Sequence, residues 1–253
     1  MDACAREDFA QISETPVIGM LCWGEGENPR GLEQLAELPG NSTNPATFSF
    51  PIRYRRVQGA NFRTIVEEPD AKIRDAMIAA ARELESQGIR AITTSCGFNA
   101  ILQQDLAAAV TIPVCTSSLM QVPLAYRMLS PNRRIGILTA RKASLTKAHL
   151  ERVGIDPRIP LLVCGLESSK QWRLLHDHPD KEIDVKELER DVVDAAVQMV
   201  RDNPAAGAII LECTDIPPFA CAIQHATGLA VFDIVTLVNL LHATVVREKF
   251  KLR

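Results

Sequence analysis

Short apolar runs alternate along the chain with longer stretches in which apolar residues recur every three or four positions. The runs at 17–22, 91–95, 112–115, 135–139, 161–164, 208–212 and 229–232 have the length and composition of buried strands. A further run, 50–57, alternates and carries several Arg, which predicts an edge strand. Helical patterns lie between them at 71–87, 100–109, 144–153, 185–201, 219–226 and 235–250. Strand–helix–strand alternation predicts an α/β fold on mostly parallel sheet covered by helices.

The pattern also repeats. Ile18-Gly19-Met20-Leu21 matches Ile135-Gly136-Ile137-Leu138, Ile112-Pro113-Val114 matches Leu229-Ala230-Val231, and Cys96 matches Cys213. Each pair is 117 residues apart: 18 to 135, 112 to 229, 96 to 213. Three segments at one offset predict a duplicated α/β unit with a pseudo-twofold axis. The expected halves are residues 1–130, carrying Cys96, and 131–253, carrying Cys213, divided at the turn-forming Pro131-Asn132. The final helix either crosses back onto the first half or forms a dimer contact, so a homo-oligomer stays open.

Composition narrows the class. Apolar residues make up 47% of the 253 and charged residues 23%, near the average for a globular protein. A net charge of -3 points to neither a nucleic-acid partner nor an anionic membrane surface. No apolar run has the length of a membrane span. The N-terminus is polar and acidic, without the apolar core of a signal peptide, so the expected location is cytoplasmic. Seven cysteines, with no C-x-x-C spacing, predict reduced thiols rather than a disulfide framework. His176-x-His178 is a weak metal signal in a charged stretch that reads as a solvated loop, and no metal is expected. Gly24-x-Gly26 lacks the rest of a dinucleotide fingerprint, so no nucleotide cofactor is assigned.

The candidate chemistry lies in two turns. Cys96 and Cys213 both end predicted strands, where ligands bind to open parallel sheets. Each alone reads as a core cysteine; their symmetric placement favours a shared cleft. The turn Thr94-Ser95-Cys96-Gly97-Phe98-Asn99 leads into a helix whose N–H groups suit an anion and would lower the thiol pKa. Gly97 admits close backbone approach. Thr94 or Ser95 either contacts a ligand or caps the helix. In Glu212-Cys213-Thr214-Asp215, Asp215 either shares a proton with Cys213 or caps the helix begun by Pro217 or Pro218. Opposed thiols suit inversion of a stereocentre beside a carbonyl, one thiolate taking the proton and the other thiol giving one. Thr and Ser donors would then stabilise the enolate-like state.

By the 117-residue offset Thr139 mirrors Cys22. Thr139 is the expected carboxylate ligand and Cys22 a wall residue. Cys115, Cys164 and Cys221 are expected to pack, and Cys4 lies in a frayed terminus. The polar loop 41–49 is either a lid or a connection to the edge strand.

At these two turns, and in the strand 135–139 with Ser144 after it, the sequence resembles the aspartate/glutamate racemase superfamily over nearly its whole length. That superfamily includes amino-acid racemases, hydantoin racemases, arylmalonate decarboxylases and maleate isomerases. The resemblance implies two flavodoxin-like domains with the site between them and no pyridoxal phosphate or other cofactor. It implies Cys96 and Cys213 as the acid/base pair, with Thr94, Ser95, Thr139 and Thr214 at a substrate carboxylate. Gly97, Phe98, Asn99 and Asp215 complete the candidate set. There are departures. Gly97-Phe98 stands where racemases of glutamate or aspartate usually carry Asn-Thr. Cys22-Trp23-Gly24 replaces a polar pair, and Asp215 replaces Glu or His. Phe98 and Trp23 make the pocket less polar than one built for an acidic side chain. Arylmalonate decarboxylases keep only the second thiol, so two thiols point to racemisation. The expected function is a cofactor-independent racemase or epimerase of an amino acid or close derivative, with a small carboxylate as substrate. The alternatives are an isomerase or decarboxylase of a small dicarboxylate, and a non-catalytic carboxylate binder.

Overall fold

The protein is described from a computed structural model that covers residues 15–24 and 28–247. Cys4, Gly26 and the last residues of the predicted 235–250 helix lie outside the described residues. The first sheet holds β1 (Ile18–Cys22), β2 (Ile52–Arg56), β3 (Ala91–Thr94) and β4 (Val114–Cys115) in the order β2-β1-β3-β4. The second holds β5 (Arg134–Thr139), β6 (Leu161–Gly165), β7 (Ala206–Leu211) and β8 (Ala230–Phe232) in the order β6-β5-β7-β8. Every pairing is parallel.

The two sheets share a register as well as an order. Ile18 faces Ala91 and Ile135 faces Ala208; Ile92 faces Val114 and Ile209 faces Val231. The 117-residue offset therefore holds for three of the four strands. It fails at β2, because Ile18 pairs with Ile52, 34 residues on, whereas Ile135 pairs with Leu161, 26 residues on. The first half carries the longer crossover, and this crossover builds much of the site. Asn132, at the turn between the halves, has φ 72°, a left-handed conformation that Asn tolerates.

Nine helices follow among the described residues: α1 (Arg30–Ala36), α2 (Ala71–Ser86), α3 (Gln103–Ala109), α4 (Val122–Arg127), α5 (Lys147–Arg152), α6 (Lys170–Asp177), α7 (Val185–Asp202), α8 (Ala220–Thr227) and α9 (Ile234–Val245). The two long ones are capped by aspartates: Asp70 accepts from the Lys72 N–H, and Asp184 from those of Lys186 and Glu187. Helix α2 buries Ile73, Met77, Ala80, Ala81 and Leu84, and α7 buries Leu188, Val192, Ala196 and Met199. Both sets follow the helical period, and a fully buried Leu or Met stabilises by about 1.5–3 kcal/mol. The repeated glycines explain how the helices seat: a β-carbon on Gly19 would lie 2.8 Å from Leu84 Cδ1, and one on Gly136 2.6 Å from Met199 Cε.

Helices α4 and α9 close the fold by exchange. Leu119, Val122 and Ala125 leave the first sheet and pack on Ile135, Ile137, Ala208 and Ile210 of the second. Ile234, Leu237, Val238 and Leu241 of α9 cross the other way onto Ile18, Met20 and Ala91 of the first. Their starts are joined: Gln121 Nε2 donates to the Asp233 carbonyl at 2.8 Å and Thr236 Oγ1 to Gln121 Oε1 at 3.0 Å.

Several expectations need correction. The stretch before His178 is the helix α6, not a loop, because Ser169 caps it and Trp172 and Leu175 are buried. The predicted 100–109 helix begins as a 3₁₀ turn at Gly97–Leu102, and the 144–153 helix shortens to α5 after a 3₁₀ turn at Lys142–Ser144. Cys221 is exposed rather than packed. Among the described residues no helix is long and apolar enough to cross a membrane, and no group of three or more His, Cys, Asp and Glu is placed to hold a metal.

Candidate active site

Strands β3 and β7 occupy equivalent places in their sheets, so the turns that follow them meet. A cavity of about 510 Å³ opens there, and Cys96 and Cys213 both line it. The turns are bonded directly by Thr214 Oγ1, which donates to the Ser95 carbonyl at 2.6 Å, and beside them Ser118 Oγ, after β4, donates to the Leu211 carbonyl at the end of β7 at 2.6 Å. Gly97 is the point of closest approach, since a β-carbon there would run into the carbonyl and carboxyl oxygens of Glu212.

Of the residues singled out in the sequence, Ser95, Cys96, Gly97, Phe98, Cys213, Thr214 and Asp215 line the cavity. Thr94, Asn99 and Thr139 are not among its lining residues. Thr94 Oγ1 is turned to the carbonyls of Cys96 and Thr116, at 3.0 and 2.7 Å. Thr139 Oγ1 donates to Glu212 Oε2 at 2.8 Å. Asn99 is buried in the 3₁₀ turn without a partner for either amide atom. Cys22 and Trp23 both stand in the wall. Neither Thr94, Ser95 nor Asp215 caps a helix: Cys96 and Ile216 hold those positions without side-chain bonds.

Asp215 is instead coupled to Cys213. The Cys213 thiol donates to Asp215 Oδ2 at 3.6 Å, and Asn41 Nδ2 donates to Oδ1 at 2.8 Å. Asn41 is buried and begins the 41–49 loop, whose Thr43 and Pro45 roof the cavity. The Ser42 N–H also reaches the Thr214 carbonyl, at 3.4 Å. The loop from one half thus holds the acid of the other. Asn41 has no separate signal in the sequence, because its partner is 174 residues away.

The electrostatics overturn one expectation. The N–H groups of Phe98 and Asn99 do favour a Cys96 thiolate, but burial and the neighbouring Glu212 outweigh them and push the thiol up. Burial, then Asp215 and Glu212, push Cys213 up as well. Burial raises Asp215 against the hydrogen bonds from Asn41 and Cys213. Glu212 rises to about 7, again chiefly by burial. Cys22 is pushed up to about 11 by burial, with Ser95 and Arg56 working against it. The site at rest is therefore a set of protonated thiols beside two buried carboxyls.

The rest of the wall was not foreseen. Tyr54 and Arg56 come from β2, Glu33 from α1, Phe62 and Val66 from the segment after β2, and Trp172 from α6. Arg56 is the one cation in the wall among the described residues and makes no ion pair there. Its signal in the sequence is the Arg-rich run 50–57, whose alternation predicts an edge strand without pointing to a site.

Comparison with known proteins places this architecture. The chain is 31% identical over 211 residues to dimethylsulfoniopropionate lyase 7 of Emiliania huxleyi (strain CCMP1516), covering 79% of this chain and 61% of that protein. It is 27% identical over 207 residues to a dimethylsulfoniopropionate lyase of Durusdinium sp. clade D, covering 78% and 67%. The chain thus spans about two thirds or less of these relatives' length. Allantoin racemase from Klebsiella pneumoniae shares the fold with a TM-score of 0.63 at 15% identity, over 90% of this chain and 87% of that one. Residues 54–239, which include both thiol turns and every strand from β3 to β8, match the Asp/Glu/hydantoin racemase family, and the chain belongs to it.

Proposed function

We propose that this protein removes the proton α to the carboxylate of a small monocarboxylate and expels a leaving group from the β-carbon, with Cys213 as base. The observation that carries the reading is the charge and shape of the cavity wall. Arg56 is the one cation there among the described residues, beside the acids Glu33 and Asp215, so the wall offers a partner to one substrate carboxylate and none to a second. Dicarboxylates such as maleate, arylmalonates, aspartate and glutamate would bring a second unpaired charge. The remaining wall is aromatic, with Trp23, Tyr54, Phe62, Phe98 and Trp172. Aromatic faces near Glu33 suit a compact cation such as a sulfonium. Relatives named as dimethylsulfoniopropionate lyases support the same chemistry.

In this reading Asp215, turned towards Cys213 and held by Asn41, takes the thiol proton. The Cys213 thiolate then takes the α-proton as the carbon–carbon double bond forms. The electron pair of the breaking carbon–sulfur bond leaves on the thioether, here dimethyl sulfide, and acrylate remains. The proton taken from carbon passes to solvent. Cys96 keeps its proton and faces the developing enolate as a donor.

A second reading, racemisation of a monocarboxylate, is favoured by Cys96 and Cys213 standing at equivalent positions in one cavity. Proton NMR in D₂O separates the two. Dimethylsulfoniopropionate is expected to give acrylate and dimethyl sulfide. Cys213→Ser should lower the rate about 10²–10⁴-fold, and Cys96→Ser should lower it less. Deuterium entering the α-carbon of an amino acid or hydantoin with loss of optical activity, abolished equally by either substitution, would establish the racemase instead. No turnover of any of these compounds would overturn both.

A further inference from the structure

Glu212 is a second acid of the site, placed behind it. It ends β7 immediately before Cys213, is fully buried, and does not line the cavity. Its Oε2 takes the Thr139 hydroxyl at 2.8 Å. Its Oε1 lies over Gly97, where it would collide with a β-carbon, and has no hydrogen-bond partner among the described residues. The carboxyl is thus gripped by the end of β5 on one side and pressed on the Cys96 turn on the other.

We infer that Glu212 is a positioning residue that sets the protonation of the thiol pair: neutral, it lets a thiol ionise, and charged, it holds both thiols protonated. The groups around it are few. Cys96 faces it from the β3 turn, Cys213 and Asp215 from its own turn, the Thr139 hydroxyl from the end of β5 and the Ala140 N–H from just beyond it. His149 stands edge-on to Phe98 on the same turn, its ring centroid 5.6 Å away. No cation appears among these groups. A charged carboxylate there meets low dielectric and like charge, which accounts for its rise to about 7 and for its upward pull on both sulfurs. Two thiols and two carboxyls in one buried cluster titrate as a unit.

This builds on the reading of the thiols as an acid/base pair, but its test measures thiol ionisation and needs no substrate. Iodoacetamide is reacted with the full chain from pH 6 to 10, and Cys96, Cys213 and Cys221 are followed separately by peptide mass spectrometry. Exposed Cys221 is the internal control. Glu212→Gln is expected to alkylate Cys96 about tenfold faster at pH 8, a shift of about one pH unit, with Cys221 unchanged. Thr139→Val removes the donor that favours the Glu212 carboxylate, so Cys96 should move the same way by a smaller factor. It decides the matter if the Gln variant does not fold. Cys96 and Cys213 profiles identical to wild type in the folded variants would overturn the proposal. So would a change shared equally by Cys221, which marks general loosening.

Discussion

Asp215 and Glu212 flank Cys213 in sequence and do different things. Asp215 lines the cavity and accepts from the thiol, whereas Glu212 is sealed behind it. Asp215→Asn keeps the size of the side chain but removes the carboxylate that accepts from the thiol and is proposed to take its proton. Turnover is expected to fall on the order of 10²–10⁴-fold with a smaller change in KM. Steady-state kinetics check this, and unchanged turnover would mean that the proton leaves by another route. Glu212 acts on stability as well. Its folded-state proton affinity, up to about 7 from 4.5, exceeds that of the unfolded chain. The folded protein therefore binds more protons between those values, and stability falls as pH rises through that window. The full penalty, about 3 kcal/mol, is present above pH 7. Glu212→Gln removes it, so the variant's melting temperature should gain on wild type as pH rises from 5 to 8. Parallel melting curves across that range would show that Glu212 titrates alike folded and unfolded.

Secondary-structure elements differ in how far they could be read from the sequence. The strands and their repeat were legible because a buried parallel strand is a short apolar run, and duplication preserved the offset at β1, β3 and β4. Although α3, α5 and α8 of the same six to eight residues were found within longer apolar patterns, the short helices α1, α4 and α6 were not. Their apolar faces make sense only against partners from distant sequence, as where Gly31 of α1 meets Leu175 and Ile183. The two thiols were legible from their symmetry, but their ionisation was not, because burial and the Glu212 contact are tertiary facts. The partner of Thr139 was hidden for a related reason: the sequence shows a hydroxyl at a strand end but not that it donates to Glu212. The exchanged helix α9 offers a direct check. Leu237 and Leu241 are buried against the first sheet, whereas Leu240 is 49% exposed. Leu237→Ala or Leu241→Ala should each cost about 2–5 kcal/mol in urea unfolding, and Leu240→Ala about 0.5 kcal/mol or less. Equal costs at all three positions would contradict the packing of α9 on β1 and β3.

At the scale of the whole molecule, the duplication predicts two domains and the packing joins them into one unit. A single apolar core runs from Leu21, Leu84 and Ile92 of the first half to Leu138, Leu188 and Ile209 of the second. Helices α4 and α9 are exchanged between the sheets, so each half lacks part of its own cover without the other. The site sits on this seam, where Asn41 and Ser95 of one half bond Asp215 and Thr214 of the other. Such sharing predicts cooperative, two-state loss of structure rather than stepwise melting. The chain has two tryptophans, Trp23 from the first half and Trp172 from the second, and both line the cavity on the seam. In Trp172→Phe the remaining indole reports the seam from the side of the first half, and in Trp23→Phe from the side of the second. Each variant's fluorescence midpoint in urea should coincide with its own far-UV circular dichroism midpoint. A fluorescence transition that precedes the dichroism change in either variant would mean that the cavity opens before the sheets and helices melt. The seam, and the alignment of Cys96 with Cys213 across it, would then be lost before the rest of the fold.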